Sequence, residues 1–250
     1  MQKEELNNSN VIRNISTDQS EILQWIMTLY NNGEPFECDI TASELKFYGK
    51  RPGCKYEIPK PKILMDVYPV LDGIIKITPF EKLPLEDSSV SSIVCDLPFV
   101  CSPKTCKSVV EKKEGANLIS NRFSSWYPMQ EGYENIFWWM KECARVLKDD
   151  GIIVWKMQDS VSGGLQHNLS EFSMLCAADN NLYVHDMFIM QAKARLISAS
   201  KIKKQQHARK YTSNFWVFRK DSKRDAKTNI LKKLQECKDN VFEGKVWELK

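Results

Sequence analysis

Asp96-Leu97-Pro98-Phe99 closes the apolar run Ser92-Ile93-Val94-Cys95, so a carboxylate, a proline-stiffened backbone and an aromatic ring meet where a buried strand opens into a loop. Pro98 fixes its own φ and pushes Leu97 towards extended backbone, which aims the Leu97 carbonyl. Asp96 and that carbonyl can accept two hydrogen bonds from one exocyclic NH2, while Phe99 offers a face for stacking. The set suits a flat, amino-bearing ring whose amine must present its lone pair in one direction. An isolated tetrapeptide of this kind is also just a strand ending in a Pro-Phe turn with a solvated Asp, so the flanking elements decide.

Before the motif, residues 81–91 read as a short acidic turn, and the strand beyond it is too apolar for an exposed edge. After it, Ile136, Trp139, Met140, Cys143, Val146 and Leu147 recur at helical spacing, Lys148-Asp149-Asp150-Gly151 reads as a helix stop, and residues 152–157 as a buried strand. Residues 169–178 predict a helix, and residues 183–190 and 214–218 predict strands. Upstream, residues 20–30 form an amphipathic helix, followed by short strands over 36–40, 62–66 and 74–78. Strands alternating with helices or short crossings predict an α/β fold with a mostly parallel, doubly covered sheet. Ligands then belong at the strands' carboxyl ends.

These passages resemble the class I S-adenosylmethionine-dependent methyltransferases. There, an acidic turn leads into the fourth strand, and a helix ending in arginine-valine-leucine-lysine, acidic residues and glycine joins it to the fifth. Within that frame Asp96-Leu97-Pro98-Phe99 resembles the Asp-Pro-Pro-Tyr/Phe motif of amino-group methyltransferases acting on nucleic-acid bases, with Leu97 where proline is commonest. The resemblance implies a Rossmann-like class I methyltransferase fold closed by a C-terminal antiparallel hairpin, with S-adenosylmethionine as cofactor. It implies Asp39 for the cofactor's ammonium, Asp66 for its ribose hydroxyls and Phe80 beside its adenine. Thr41, with Ala42 and Ser43, stands where the family usually carries a glycine-rich loop. Asp rather than Ser at the first motif position favours N6 of adenine over N4 of cytosine, in a base taken from single-stranded or flipped nucleic acid. DNA is the expected substrate. An RNA base, cytosine N4 and a catalytically inactive, nucleic-acid-binding subunit are the alternatives.

Composition sets the remaining expectations. The net charge of +4 hides an asymmetry: residues 1–100 hold ten Lys/Arg against fifteen Asp/Glu, and residues 193–233 hold fourteen against two. Lys203, Lys204, His207, Arg209 and Lys210, between the last two strands, are candidates for nucleic-acid phosphates, as are Lys104 and Arg122 in the long segment after the motif. The glycines of residues 159–164 would permit a tight loop facing the substrate pocket, and Lys156 and Gln158 point to the same rim. The expected organisation is a tail over 1–19, a methyltransferase domain over 20–220 and a basic helix or tail over 221–250. Within the domain, 100–134 is a substrate loop and 193–213 a basic hairpin connection. Eight cysteines without a Cys-x2-Cys pair, and no His at zinc spacing, predict reduced packing thiols and no metal. No apolar run approaches a membrane span and residues 1–5 lack a signal-peptide pattern, so the expectation is a soluble, cytoplasmic protein. Homo- or hetero-oligomerisation is open.

Overall fold

A computed structural model describes residues 11–100, 126, 128–194, 207–220 and 229–242. The strands are β1 (Ile15–Ser16), β2 (Cys38–Asp39), β3 (Ile63–Asp66), β4 (Ile75–Lys76), β5 (Val90–Asp96), β6 (Leu147–Met157), β7 (Ser160–Ser162), β8 (Leu165–His167), β9 (Leu182–Gln191) and β10 (Thr212–Lys220). The helices are α1 (Gln19–Tyr30), α2 (Met129–Val146), α3 (Leu169–Asp179) and α4 (Ile230–Phe242). Eight strands form one sheet in the order β1-β9-β10-β6-β5-β2-β3-β4. β4, β3, β2, β5 and β6 are mutually parallel, and β10 enters antiparallel to both β6 and β9. This is the Rossmann-like α/β arrangement with a C-terminal antiparallel hairpin.

Side-chain alternation along the central strands explains why the sheet must be covered twice. Ile93 and Cys95 of β5, with Ile153 and Trp155 of β6, pack beneath α2 and α3. Val94, Ile152 and Val154 face the other way, towards Ile22, Leu23, Ile26 and Met27 of α1. Asp18 starts α1 by accepting the Ser20 N–H at 2.9 Å. No helix among the described residues is long and apolar enough to cross a membrane.

The acidic turn before β5 has a mechanical role. Glu142, buried on α2, accepts the Leu83 N–H at 2.8 Å and an Arg145 N–H at 2.7 Å. Arg145 also donates to Asp87 at 2.6 Å and to the Leu85 carbonyl at 2.9 Å. Burial by itself would raise the Glu142 carboxyl, but Arg145 and the Leu83 N–H bring it below its usual value. The end of α2 is thereby pinned to the turn that leads into the strand carrying the motif.

Several elements differ from the sequence reading. The strand expected over 36–40 is only Cys38–Asp39, and α2 begins at Met129, well before Ile136. Lys148-Asp149-Asp150 does not separate helix from strand, since β6 starts at Leu147. The β5–β6 register jumps from Val90↔Leu147 to Ser92↔Ile152, and this bulge absorbs the extra residues. Gly151 is required there by close approach: a Cβ would lie 2.7 Å from the Ser91 carbonyl oxygen and 2.7 Å from Leu147 Cδ1. Gly151→Ala is therefore expected to destabilise the protein by about 1–3 kcal/mol, as for overpacked cores, measured by denaturant unfolding.

Candidate active site

Parallel register brings three acids to adjacent strand ends. Asp39 ends β2, Asp66 ends β3 and Asp96 ends β5. All three line one cavity of about 320 Å³, within the range of small-molecule sites. Thr41, Ala42, Ser43, Tyr48 and Pro79 contribute to its walls, as do the whole Asp96-Leu97-Pro98-Phe99 motif, Trp126, Asn135, Trp139 and Lys156.

Asp39 is 2% exposed. Its Oδ1 accepts the Thr41 N–H at 2.7 Å and the Thr41 hydroxyl at 3.0 Å, and its Oδ2 accepts the Tyr48 hydroxyl at 2.6 Å. The Thr41 hydroxyl oxygen in turn accepts the Asp96 N–H at 2.8 Å, so one side chain ties the ends of β2 and β5 together. Asp66 accepts the Ser43 N–H at 2.8 Å and the Tyr68 N–H at 2.7 Å, which fixes the turn after β2 to the end of β3. Ser43 (φ 45°) and Leu45 (φ 56°) occupy left-handed backbone in this turn. That conformation costs a residue with a Cβ roughly 1–3 kcal/mol, and here the Ser43 N–H bond to Asp66 and the Leu45 N–H bond to the Ala42 carbonyl hold it. The turn thus takes a shape that glycines normally supply.

Asp96 differs from Asp39 in the atom it leaves unsatisfied. Its Oδ2 accepts the Lys156 ammonium at 2.8 Å, while its Oδ1 is buried with no hydrogen-bond partner among the described residues. The next residues are held from the other side: the Trp126 indole N–H donates to the Pro98 carbonyl at 2.5 Å, and the Trp126 backbone N–H donates to the Val100 carbonyl at 2.9 Å. Trp126 is 3% exposed and lies against Gly132 of α2, where a Cβ would come 2.7 Å from its Cδ1. A second unsatisfied acceptor lines the same cavity. Asn135 is 1% exposed and its amide nitrogen donates to the Glu131 carbonyl, but its Oδ1 has no partner among the described residues. Buried polar atoms of this kind cost about 1–3 kcal/mol each and mark where a ligand's donors would be accepted.

The predicted residues distribute unevenly. Asp39, Thr41, Asp66, Asp96, Leu97, Pro98 and Phe99 all reach the cavity, whereas Phe80 does not. Phe80 is 51% exposed and packs its ring against Trp138, 6.1 Å between centroids, in a separate depression on α2. Residues 159–164 also lie away from the cavity lining. With Gly163 and Gly164 both at positive φ, they form the β7–β8 hairpin, a turn that requires left-handed residues at both centres. Gln158 is buried and donates to the Thr212 carbonyl at 2.5 Å, bracing β6 on the start of β10. Lys104, Arg122, Lys203 and Lys204 lie outside the described residues. Exposed His207 and Arg209 and half-buried Lys210 lead into β10, whose Asn214 pairs with Met157 at the carboxyl end of β6, so they emerge at the edge that holds the cavity. The sequence marked Trp126 as one residue of the segment after the motif, and Asn135 was not singled out. Only the spacing of Asn135 on the buried face of α2 hints at it.

The geometry sets two expectations. Burial pushes the Asp39 carboxyl up from 3.8 to about 7, against the lowering effect of the Tyr48 and Thr41 hydrogen bonds. Between about pH 4 and about pH 7 the folded protein keeps a proton that the unfolded chain releases, so this group makes stability fall as pH rises and has no further effect above that window. Denaturant titrations should show that slope in the wild-type protein and its loss in Asp39→Asn. Gly132→Ala should displace Trp126 and with it the Pro98 carbonyl, lowering stability by about 1–3 kcal/mol and quenching or shifting the emission of the buried indole.

The DNA methylase family model for N6 and N4 methyltransferases matches residues 90–250. Among solved structures, PvuII DNA methyltransferase (cytosine-N4-specific) is similar at 18% identity with a TM-score of 0.35, covering 54% of this chain. The match spans 44% of that enzyme's length. A protein from Sulfolobus solfataricus described as a type 11 methyltransferase is similar at 14% identity with a TM-score of 0.39, covering 84% of this chain and 97% of that one. No curated protein matches the chain.

Proposed function

Since the chain belongs to the N6/N4 DNA methylase family, we propose that it methylates an exocyclic amino group of a DNA base, adenine N6 in preference to cytosine N4. The observation that carries this reading is the state of Asp96: a carboxylate at the end of a central strand, within a ligand-sized cavity, with one buried oxygen still lacking a donor. The family's methyl donor is S-adenosylmethionine, which when bound supplies an electrophilic methyl group whose bond to sulfur breaks with the electron pair left on sulfur.

The cavity suits that cofactor. Asp39 and Asp66 present carboxylates on its wall for an ammonium and for ribose hydroxyls, and the turn held by Thr41 exposes backbone rather than bulk. Asn135 Oδ1 offers a buried acceptor for an N–H group. On the acceptor side, Asp96 and the Leu97 carbonyl receive the two amine N–H groups and direct the lone pair at the methyl carbon. Phe99 stacks on the base, and Trp126 keeps the Pro98 segment from moving as the base enters. As the new nitrogen–carbon bond forms, the nitrogen becomes cationic and sheds one proton to water by way of the Asp96 carboxylate. Alignment and fixed charge supply the acceleration, with no covalent enzyme intermediate. His207, Arg209 and Lys210 carry the phosphates along the same edge.

Incubation with labelled S-adenosylmethionine and separate DNA and RNA substrates, followed by nucleoside analysis, tests the reading. N6-methyladenine from DNA is expected. Methylcytosine or label in RNA would redirect the assignment, and absence of label from every base would sink it. Asp96→Ala is expected to lower the rate by at least 100-fold with the fold retained, since it removes a preorganised acceptor of the reacting amine.

A further inference from the structure

Beside the motif acid stands a donor that the methyl-transfer reading leaves unused. Lys156, near the end of β6, pairs in register with Asp96 of β5, and its Nζ lies 2.8 Å from Asp96 Oδ2. The ammonium also sits 5.0 Å from the centroid of the Phe47 ring and 5.7 Å from that of Phe215. A carboxylate and two ring faces therefore fix a cation that is only 13% exposed, at the wall of the cavity. Lysine has three N–H donors and no acceptor. Only one donor is needed by Asp96 Oδ2, and ring faces attract the charge without accepting a conventional hydrogen bond. The cavity thus presents an acceptor and a donor side by side.

That pairing matches one chemical group. In adenine and in cytosine the amino group shares a carbon with an unprotonated ring nitrogen on the pairing edge, so a donor lies next to an acceptor. We propose that Asp96 and Lys156 read this edge together, with Asp96 accepting from the amine and the Lys156 ammonium donating to the adjacent ring nitrogen. The inference rests on the base-amine reading above and adds a substrate-binding residue to it. Guanine presents a protonated ring nitrogen beside its amine on that edge, which would face the ammonium donor to donor, and thymine presents no amine. Lys156 then selects amidine-edged bases and orients the ring about the amine that Asp96 holds. A lysine serving only to balance the Asp96 charge would leave the ring nitrogen unread.

Replacing that nitrogen by C–H separates the two roles. Full-length protein with S-adenosylmethionine is assayed on oligonucleotides carrying adenine or 1-deazaadenine, and cytosine or 3-deazacytosine, at the target position. Loss of a hydrogen bond to a charged group should lower wild-type kcat/KM on the deaza base by about 10- to 100-fold. In Lys156→Met the natural base should fall to about the same rate as its deaza analogue, and Lys156→Arg, which keeps a donor, should retain part of the discrimination. Equal methylation of natural and deaza bases by the wild-type protein would overturn the proposal, as would full discrimination surviving in Lys156→Met. The wild-type comparison requires no variant and stands even where Lys156→Met does not fold. Absence of methylation on the natural bases as well identifies a failure of the underlying function rather than of the lysine's role.

Discussion

Everything at the cavity depends on the register of β5 between its two parallel neighbours. Cys38 faces Ile93 and Asp39 faces Val94 on one side, while Asp96 faces Lys156 on the other. Parallel pairing sets all three strand ends on one edge, so three side chains far apart in sequence converge without any loop having to carry them there. A one-residue slip of β5 would turn Ile93 and Cys95 out of one apolar layer and Val94 out of the other, so burial on both faces locks the register. The Glu142–Arg145 pair on the acidic turn then fixes where the strand begins, and the Trp126 indole fixes the Pro98 segment beyond its end.

Polar groups in the cavity divide into two kinds. Asp39 is engaged on both oxygens by Thr41 and Tyr48, which makes it as much a brace of the β2 turn as a ligand group. Asp96 and Asn135 each keep one buried oxygen without a donor among the described residues. A folded chain ordinarily satisfies such atoms, and two of them on the wall of one cavity are a cost that structure alone does not recover. Preorganised acceptors of this sort gain their value when a donor arrives, because no rearrangement is needed at that moment.

The central and C-terminal strands were readable because each is long and carries an apolar or aromatic run, and the motif was readable because proline and an aromatic residue punctuate the end of such a strand. The short strands β2 and β4 were legible in position but not in extent, since two paired residues leave almost no periodic signal. Local spacing suggested a stop at Lys148–Gly151, yet a bulge against β5 decided the structure there, and a bulge depends on the partner strand. Phe80 looked like a cavity residue by its place after a strand, but its positive φ turns the chain and sends the ring to Trp138. The partnership of Asp96 with Lys156 spans 60 positions, and nothing but the register makes the two residues neighbours.

The sheet is not evenly built. β5, β6, β9 and β10 run seven, eleven, ten and nine residues, whereas β2 and β4 pair over two each and β3 over four. Fewer ladder bonds mean lower free energies of local opening, so the half bearing Asp39 and Asp66 yields before the half bearing Asp96. The anvil on which a base would be worked is stiff, while the cradle proposed for the methyl donor is held by turns and side-chain bonds. Occupancy of that cradle would add its binding energy where the framework is thinnest, making the donor a structural tenant of the domain as well as its reagent.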